Sequence, residues 1–139
     1  MMGLILGGDL SGSPIGMAPD ASWIAAKIFD NSGVATLSAI HESMQWLLDP
    51  DGDSATDDAP DIVNNSWSLL NSADECDVEF EEDLVTLRAA EIVVVLAAGN
   101  SGPNSSTSMG PADNSPVRVA VGSVDESWTI DSSSARGPS

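Results

Sequence analysis

Seven consecutive residues, Ile92 to Ala98, carry no charge and no polar side chain, and four of them are β-branched. Such a run is far too short for a membrane span, which needs about 20 apolar residues. Gly99-Asn100-Ser101-Gly102 ends it abruptly. It therefore predicts a buried strand, the strongest in the chain. Its surroundings alternate between strand and helix. Ala21–Phe29 is nearly unbroken in its apolarity and follows Pro19-Asp20, which predicts a strand covered on both faces. Leu37, Ile40, Met44, Leu47 and Leu48 recur at spacings of three and four, so residues 35–48 predict a helix. Ile62–Ser66 reads as a second buried strand. Glu79–Ala90 reads as a second helix, with Phe80, Leu84 and Leu87 on one face. Val117–Val121 predicts another strand, and Trp128–Ile130 a short one. Strand, helix, strand, helix, strand is the signature of βαβ units, so the expected fold class is α/β: a parallel sheet flanked by helices. Ligands of such sheets bind at the carboxyl ends of the strands, which directs attention to the loops after Ser66 and after Ala98.

Length and charge bound the rest. The 139 residues fit one domain and one core. Four Lys and Arg stand against 22 Asp and Glu, for a net charge of −18. The basic residues Lys27, Arg88, Arg118 and Arg136 are scattered, which excludes a nucleic-acid groove and binding to an anionic membrane surface. A single cysteine, Cys76, excludes an internal disulfide framework. Its neighbours Glu75 and Asp77 disfavour a thiolate, so it does not read as catalytic. Met1 to Leu6 is apolar without a basic stretch before it, unlike a secretory signal.

Small residues close the Ile92–Ala98 strand: Ala97, Ala98 and Gly99, then Asn100. They allow another backbone to approach closely. An asparagine there can aim its amide into a cleft, where it would suit a developing oxyanion. An ordinary turn after a strand would look the same, and on this motif alone the two readings stand level.

Its neighbours change that balance. Gly16-Met17-Ala18-Pro19, Ala26-Lys27-Ile28-Phe29-Asp30, Ile62 to Ser68, Ile92 to Asn100, Gly110-Pro111-Ala112, Val119 to Asp125 and Arg136-Gly137-Pro138-Ser139 follow one another in an order that resembles the subtilisin-like serine proteases. The Asn64-Asn65-Ser66-Trp67 version is most similar to the bacillopeptidase F branch, and the resemblance covers nearly the whole chain. It implies a partial three-layer sandwich and a parent activity of peptide-bond hydrolysis. Asn100 would be the side-chain donor of the oxyanion hole. Ser66, Trp67 and Ser68 would form the strand that pairs with substrate. Ala97, Ala98 and Gly99 would wall the pocket for the residue before the scissile bond, and Pro111 and Ala112 would floor it. Ser68 stands where the family usually has glycine, so its side chain would narrow the pocket entrance or alter backbone flexibility.

The resemblance also implies what lies elsewhere. The family's triad comes from an Asp turn, a His motif and a Ser motif. Residues 1–139 contain none of the three in register, and Met1–Leu6 looks like the remainder of the helix after the His motif. The chain is thus expected to be one partial peptidase domain, inactive alone, with the missing flanking segments as partners alongside a peptide or protein substrate. Sheet edges left open by those segments would favour self-association. Export is the family's habit, which implies an extracellular or cell-envelope parent. The reading from another class is a non-catalytic α/β module that binds peptides.

Several features invite over-reading. Ser106-Thr107-Ser108-Met109 imitates the nucleophile motif but stands too early in the family order, and reads as a loop. His41, the single histidine, is expected on a helix flank with an ordinary pKa. Asp49-Pro50-Asp51-Gly52-Asp53 begins like a calcium loop. The sixth and twelfth places, which should hold Gly and Glu, hold Ser54 and Pro60. The expectation is therefore no cofactor; many relatives bind calcium, yet no site can be assigned. Trp23, Trp46, Trp67 and Trp128 read as core or pocket wall, with Trp67 nearest the expected site.

Overall fold

The structure, a computed structural model, describes residues 1–9, 12, 15–69, 78–111 and 119–137. Its elements in chain order are α1 (Met2–Leu6), α2 (Leu37–Trp46), β1 (Ile62–Asn65), α3 (Glu81–Ala89), β2 (Val93–Ala97) and β3 (Val119–Val121). The strands form one parallel sheet in the order β1-β2-β3. Ile62 stands opposite Val93, and Val95 opposite Val119. The expected α/β class is what the molecule shows.

Helix α2 starts where Thr36 Oγ1 accepts a hydrogen bond from the Ala39 N–H at 3.2 Å, one of the donors that a helix start leaves unpaired. Helix α3 carries Glu81, Glu82 and Asp83 in its first turn and Arg88 in its last, all favourable to its dipole. It ends at Ala89; just beyond, Glu91 takes a left-handed φ of 65°, and the Ile92 N–H closes back on the Leu87 carbonyl at 3.0 Å. That turn reverses the chain into β2, completing β1-α3-β2.

The core lies on one face of the sheet. Ile40, Met44 and Leu47 come from α2 and its end, Phe80, Leu84 and Leu87 from α3 and its entry, and Ile92, Val94 and Leu96 from β2 and its entry. Burying a side chain of this size contributes about 1.5–3 kcal/mol. Along β2 the burial alternates, with Val94 and Leu96 turned to the helices. The strand is therefore fully covered on one face only.

Two expectations are corrected. Residues 21–29 form no strand: residues 22–29 make no backbone–backbone hydrogen bond to another described residue. Trp23 is 61% exposed and Phe29 41%, while Ile28 packs against the core. Apolarity supplies the drive to bury, but a strand also requires a neighbour to pair with. Trp128–Ile130 is likewise no strand. Ile130 makes one antiparallel bridge to Val124, and Trp128 turns the chain with a φ of 63°. The acidic stretch around Cys76 and the residues just before β3 fall outside the described residues.

Candidate functional site

All three strands point their carboxyl ends at one cleft of about 230 Å³. Asn64 and Ser66 line it from the end of β1. Ala97, Gly99 and Asn100 line it from β2, and Val121, Gly122 and Ser123 from β3. Parallel strands end in register, which is why residues so distant in sequence meet there.

Asn100 is exposed at the mouth of this cleft, and its side chain has no hydrogen-bond partner among the described residues. Its placement depends on Gly99, whose φ of +108° lies in the region that favours glycine. A Cβ on Gly99 would also fall 3.3 Å from Met109 Cγ and 3.4 Å from Ala135 Cβ. The turn is tied on two sides. The Ala98 N–H donates to the Val121 carbonyl at 2.9 Å, and the Ala135 N–H donates to the Gly99 carbonyl at 3.0 Å.

The opposite wall is held from behind. Trp67 Nε1–H donates to Asn65 Oδ1 at 3.0 Å, and its ring meets Phe80 edge-on with centroids 5.7 Å apart. Trp67 thus anchors the segment to the core through its side chain. Ser66 opens onto the cleft, while Ser68 Oγ lies 3.9 Å from Met109 Sδ. The two walls are joined below, where the Leu69 N–H donates to the Gly110 carbonyl at 2.9 Å and the Met109 N–H to the Ala98 carbonyl at 3.3 Å. Pro111 is buried beside this junction, and Ala112 lies outside the described residues. Sequence reasoning missed Asn64 and Met109. Asn64 sits inside the Asn64-Asn65-Ser66-Trp67 motif and could have been found by alternation along the strand. No local signal marks Met109.

The imitation nucleophile is structural. Ser108 is buried, and the Ser108 and Thr107 N–H groups both donate to the Arg136 carbonyl. Thr107 Oγ1 accepts from the Arg136 N–H at 3.0 Å. His41, the single histidine of residues 1–139, does not serve Ser108, because both its ring nitrogens are engaged elsewhere.

That histidine lines a second and larger cleft of about 520 Å³ between α2 and α3. His41 Nδ1 is 2.6 Å from Asp83 Oδ2, and Nε2 is 3.2 Å from Glu79 Oε1. The Phe80 ring lies 4.8 Å away, centroid to centroid. The expectation of an ordinary pKa is corrected: hydrogen bonds to Glu79 and Asp83 raise it, against a smaller opposing effect of burial. Despite its size, this cleft is the weaker candidate. Its histidine is already paired, whereas the strand-end cleft presents an unengaged amide.

In the loop after α2, the carboxylates of Asp49, Asp51 and Asp58 converge within 4.8 Å. Much of this set is satisfied by its own loop. The Asp51 N–H donates to Asp58 Oδ2 at 2.8 Å, and Asp51 accepts from the Asp53 N–H at 2.8 Å and from Thr56 Oγ1. Asp49 Oδ1 is buried without a donor among the described residues.

Known proteins share this fold. The subtilase family profile matches residues 1–139. Bacillopeptidase F of Bacillus subtilis is 35% identical over 99% of this chain, which corresponds to 10% of that protein. Serine protease AprX of the same organism is 37% identical over 95% of this chain and 31% of its own length. Among solved structures, Sphericase superposes with a TM-score of 0.73 at 24% identity, over 96% of this chain and 43% of that one. The self-cleaved protease domain of PatA gives 0.75 at 24% identity, over 95% and 46%. The chain therefore spans a tenth to a third of these two curated relatives, and it belongs to the subtilase family.

Proposed function

We propose that residues 1–139 are the substrate-binding middle of a serine endopeptidase domain whose Asp, His and Ser triad lies in flanking segments of the parent protein. The supporting observation is the strand-end cleft, where the unengaged amide of Asn100 stands beside Ser66, Ala97 and Gly99. In this reading a substrate peptide runs along Ser66-Trp67-Ser68 and pairs with it as an added strand. Ala97, Ala98 and Gly99 flank the side chain that precedes the scissile bond, and Pro111 closes the pocket behind it. A serine Oγ attacks the scissile carbonyl, a histidine takes its proton, and Asn100 Nδ2 donates a hydrogen bond to the oxygen as its charge develops.

The substrate is a peptide or protein. Among the described residues no helix is long and apolar enough to cross a membrane. The extracellular or cell-envelope setting of the parent is part of this proposal. Calcium, which the family resemblance brings in, fits one set of described residues. Asp49, Asp51 and Asp58 offer the carboxylate oxygens a hard cation prefers, as part of the about six to eight oxygens that calcium takes. Bound there it would neutralise a crowded acidic loop.

Two preparations test the proposal. The parent protein should hydrolyse a chromogenic peptide and lose that activity to a serine-directed inhibitor, whereas residues 1–139 alone should be inert. Inhibitor-sensitive turnover by residues 1–139, or an inert parent, would overturn it.

A further inference from the structure

Beside the strand-end cleft, one side chain bridges the segments that follow β1 and β2. Met109 Sδ lies 3.3 Å from Ser101 Oγ on one side and 3.9 Å from Ser68 Oγ on the other. Its Cγ sits 3.3 Å from where a Cβ on Gly99 would fall. One thioether therefore touches both walls. Its position is fixed by backbone, through the Met109 N–H to the Ala98 carbonyl at 3.3 Å and the Leu69 N–H to the Gly110 carbonyl at 2.9 Å. The first bond ties residue 109, and the second its neighbour Gly110, to one wall each, whatever side chain residue 109 carries.

We propose that Met109, with Ser68 across from it, sets the depth of the pocket for the side chain preceding the scissile bond, and so restricts it to small residues such as alanine or serine. This rests on the protease reading of the strand-end cleft. The physical reason is volume. A packed slot tolerates added methylenes poorly, and an aromatic ring would have to displace the thioether from both serines. Methionine is flexible, so the exclusion is graded: intermediate side chains are slowed rather than refused. Ser68 contributes because it places an oxygen, where a glycine would leave space, against the sulfur.

The test uses the full-length parent and two peptides differing only before the scissile bond, alanine in one and phenylalanine in the other. The wild-type protein should show kcat/KM for the alanine peptide at least about tenfold above that for phenylalanine. Met109→Gly should raise the ratio of kcat/KM for the phenylalanine peptide to that for the alanine peptide at least about tenfold. Met109→Ala, which perturbs the backbone less, should move the same way, and the volume-conserving Met109→Leu should keep the wild-type ratio. A wild-type protein that cuts both peptides within about threefold, or truncations that leave the ratio unchanged, would overturn the inference and spare the protease reading. A parent that neither cuts a peptide nor reacts with a serine-directed inhibitor would remove both.

Discussion

At the scale of single residues, the site rests on one backbone conformation. Gly99 takes a φ of +108° so that β2 can turn and leave Asn100 at the cleft mouth. Gly99→Ala should cost about 1–3 kcal/mol of stability, the usual range for a strained backbone position. Met109 Cγ can shift to accept the new Cβ, so strain is the larger effect. The urea midpoint should fall with an unchanged slope; an unaltered midpoint would contradict this. The place of Asn100 and its small neighbours at the end of β2 was legible in the sequence because they close an unmistakable strand, whereas the oxyanion role came from the family resemblance. Met109 was not legible. Its role arises from a loop that returns eleven residues later to bond Ala98, a contact no local pattern encodes.

Among elements, the α2–α3 joint is the one with a titratable clasp. Both nitrogens of His41 face carboxylates, and a neutral imidazole has one N–H to offer. The protonated ring satisfies both, so the clasp favours the imidazolium. Its pKa is raised in the folded state. The stability it contributes is therefore fully present below the unfolded value of about 6.5 and is lost as pH rises through the folded pKa. Glu82 also lines the same cleft, and Glu42 is its neighbour on α2. The His41 ring resonances, followed by NMR in this chain, should titrate with a midpoint above about 6.5. His41→Gln should remove the corresponding loss of thermal stability on the alkaline side. A midpoint at or below the ordinary value would rule the clasp out. The histidine's partners lie 38 and 42 residues away, which is why the sequence suggested an ordinary pKa. Helices α2 and α3 and strand β2 were legible from spacing and from the charge-free run. Residues 21–29 misled, because their apolarity carries no information about which backbone would pair with them.

Across the whole molecule, apolar surface stays uncovered: Val121 on β3 is 50% exposed, Ile62 on β1 is 63% exposed, and Trp23 stands clear of the core. Among the described residues, β1 and β3 each pair with a neighbour on one side only. Unpaired edges and apolar faces of this kind drive association. We therefore expect residues 1–139 to self-associate, with a mass by light scattering that rises with concentration. A strictly monomeric folded species at high concentration would contradict this. The charge of −18 opposes that association, and added salt should strengthen it by screening.

Our central claim is that the carboxyl ends of this sheet stabilise an oxyanion through Asn100. Asn100→Ala in the full-length parent tests it most directly, with kcat and KM measured on one peptide substrate. The account predicts a fall in kcat of about 10²–10³-fold with KM changed little, because the bond is strongest in the transition state. An unchanged kcat in a correctly folded variant would contradict it.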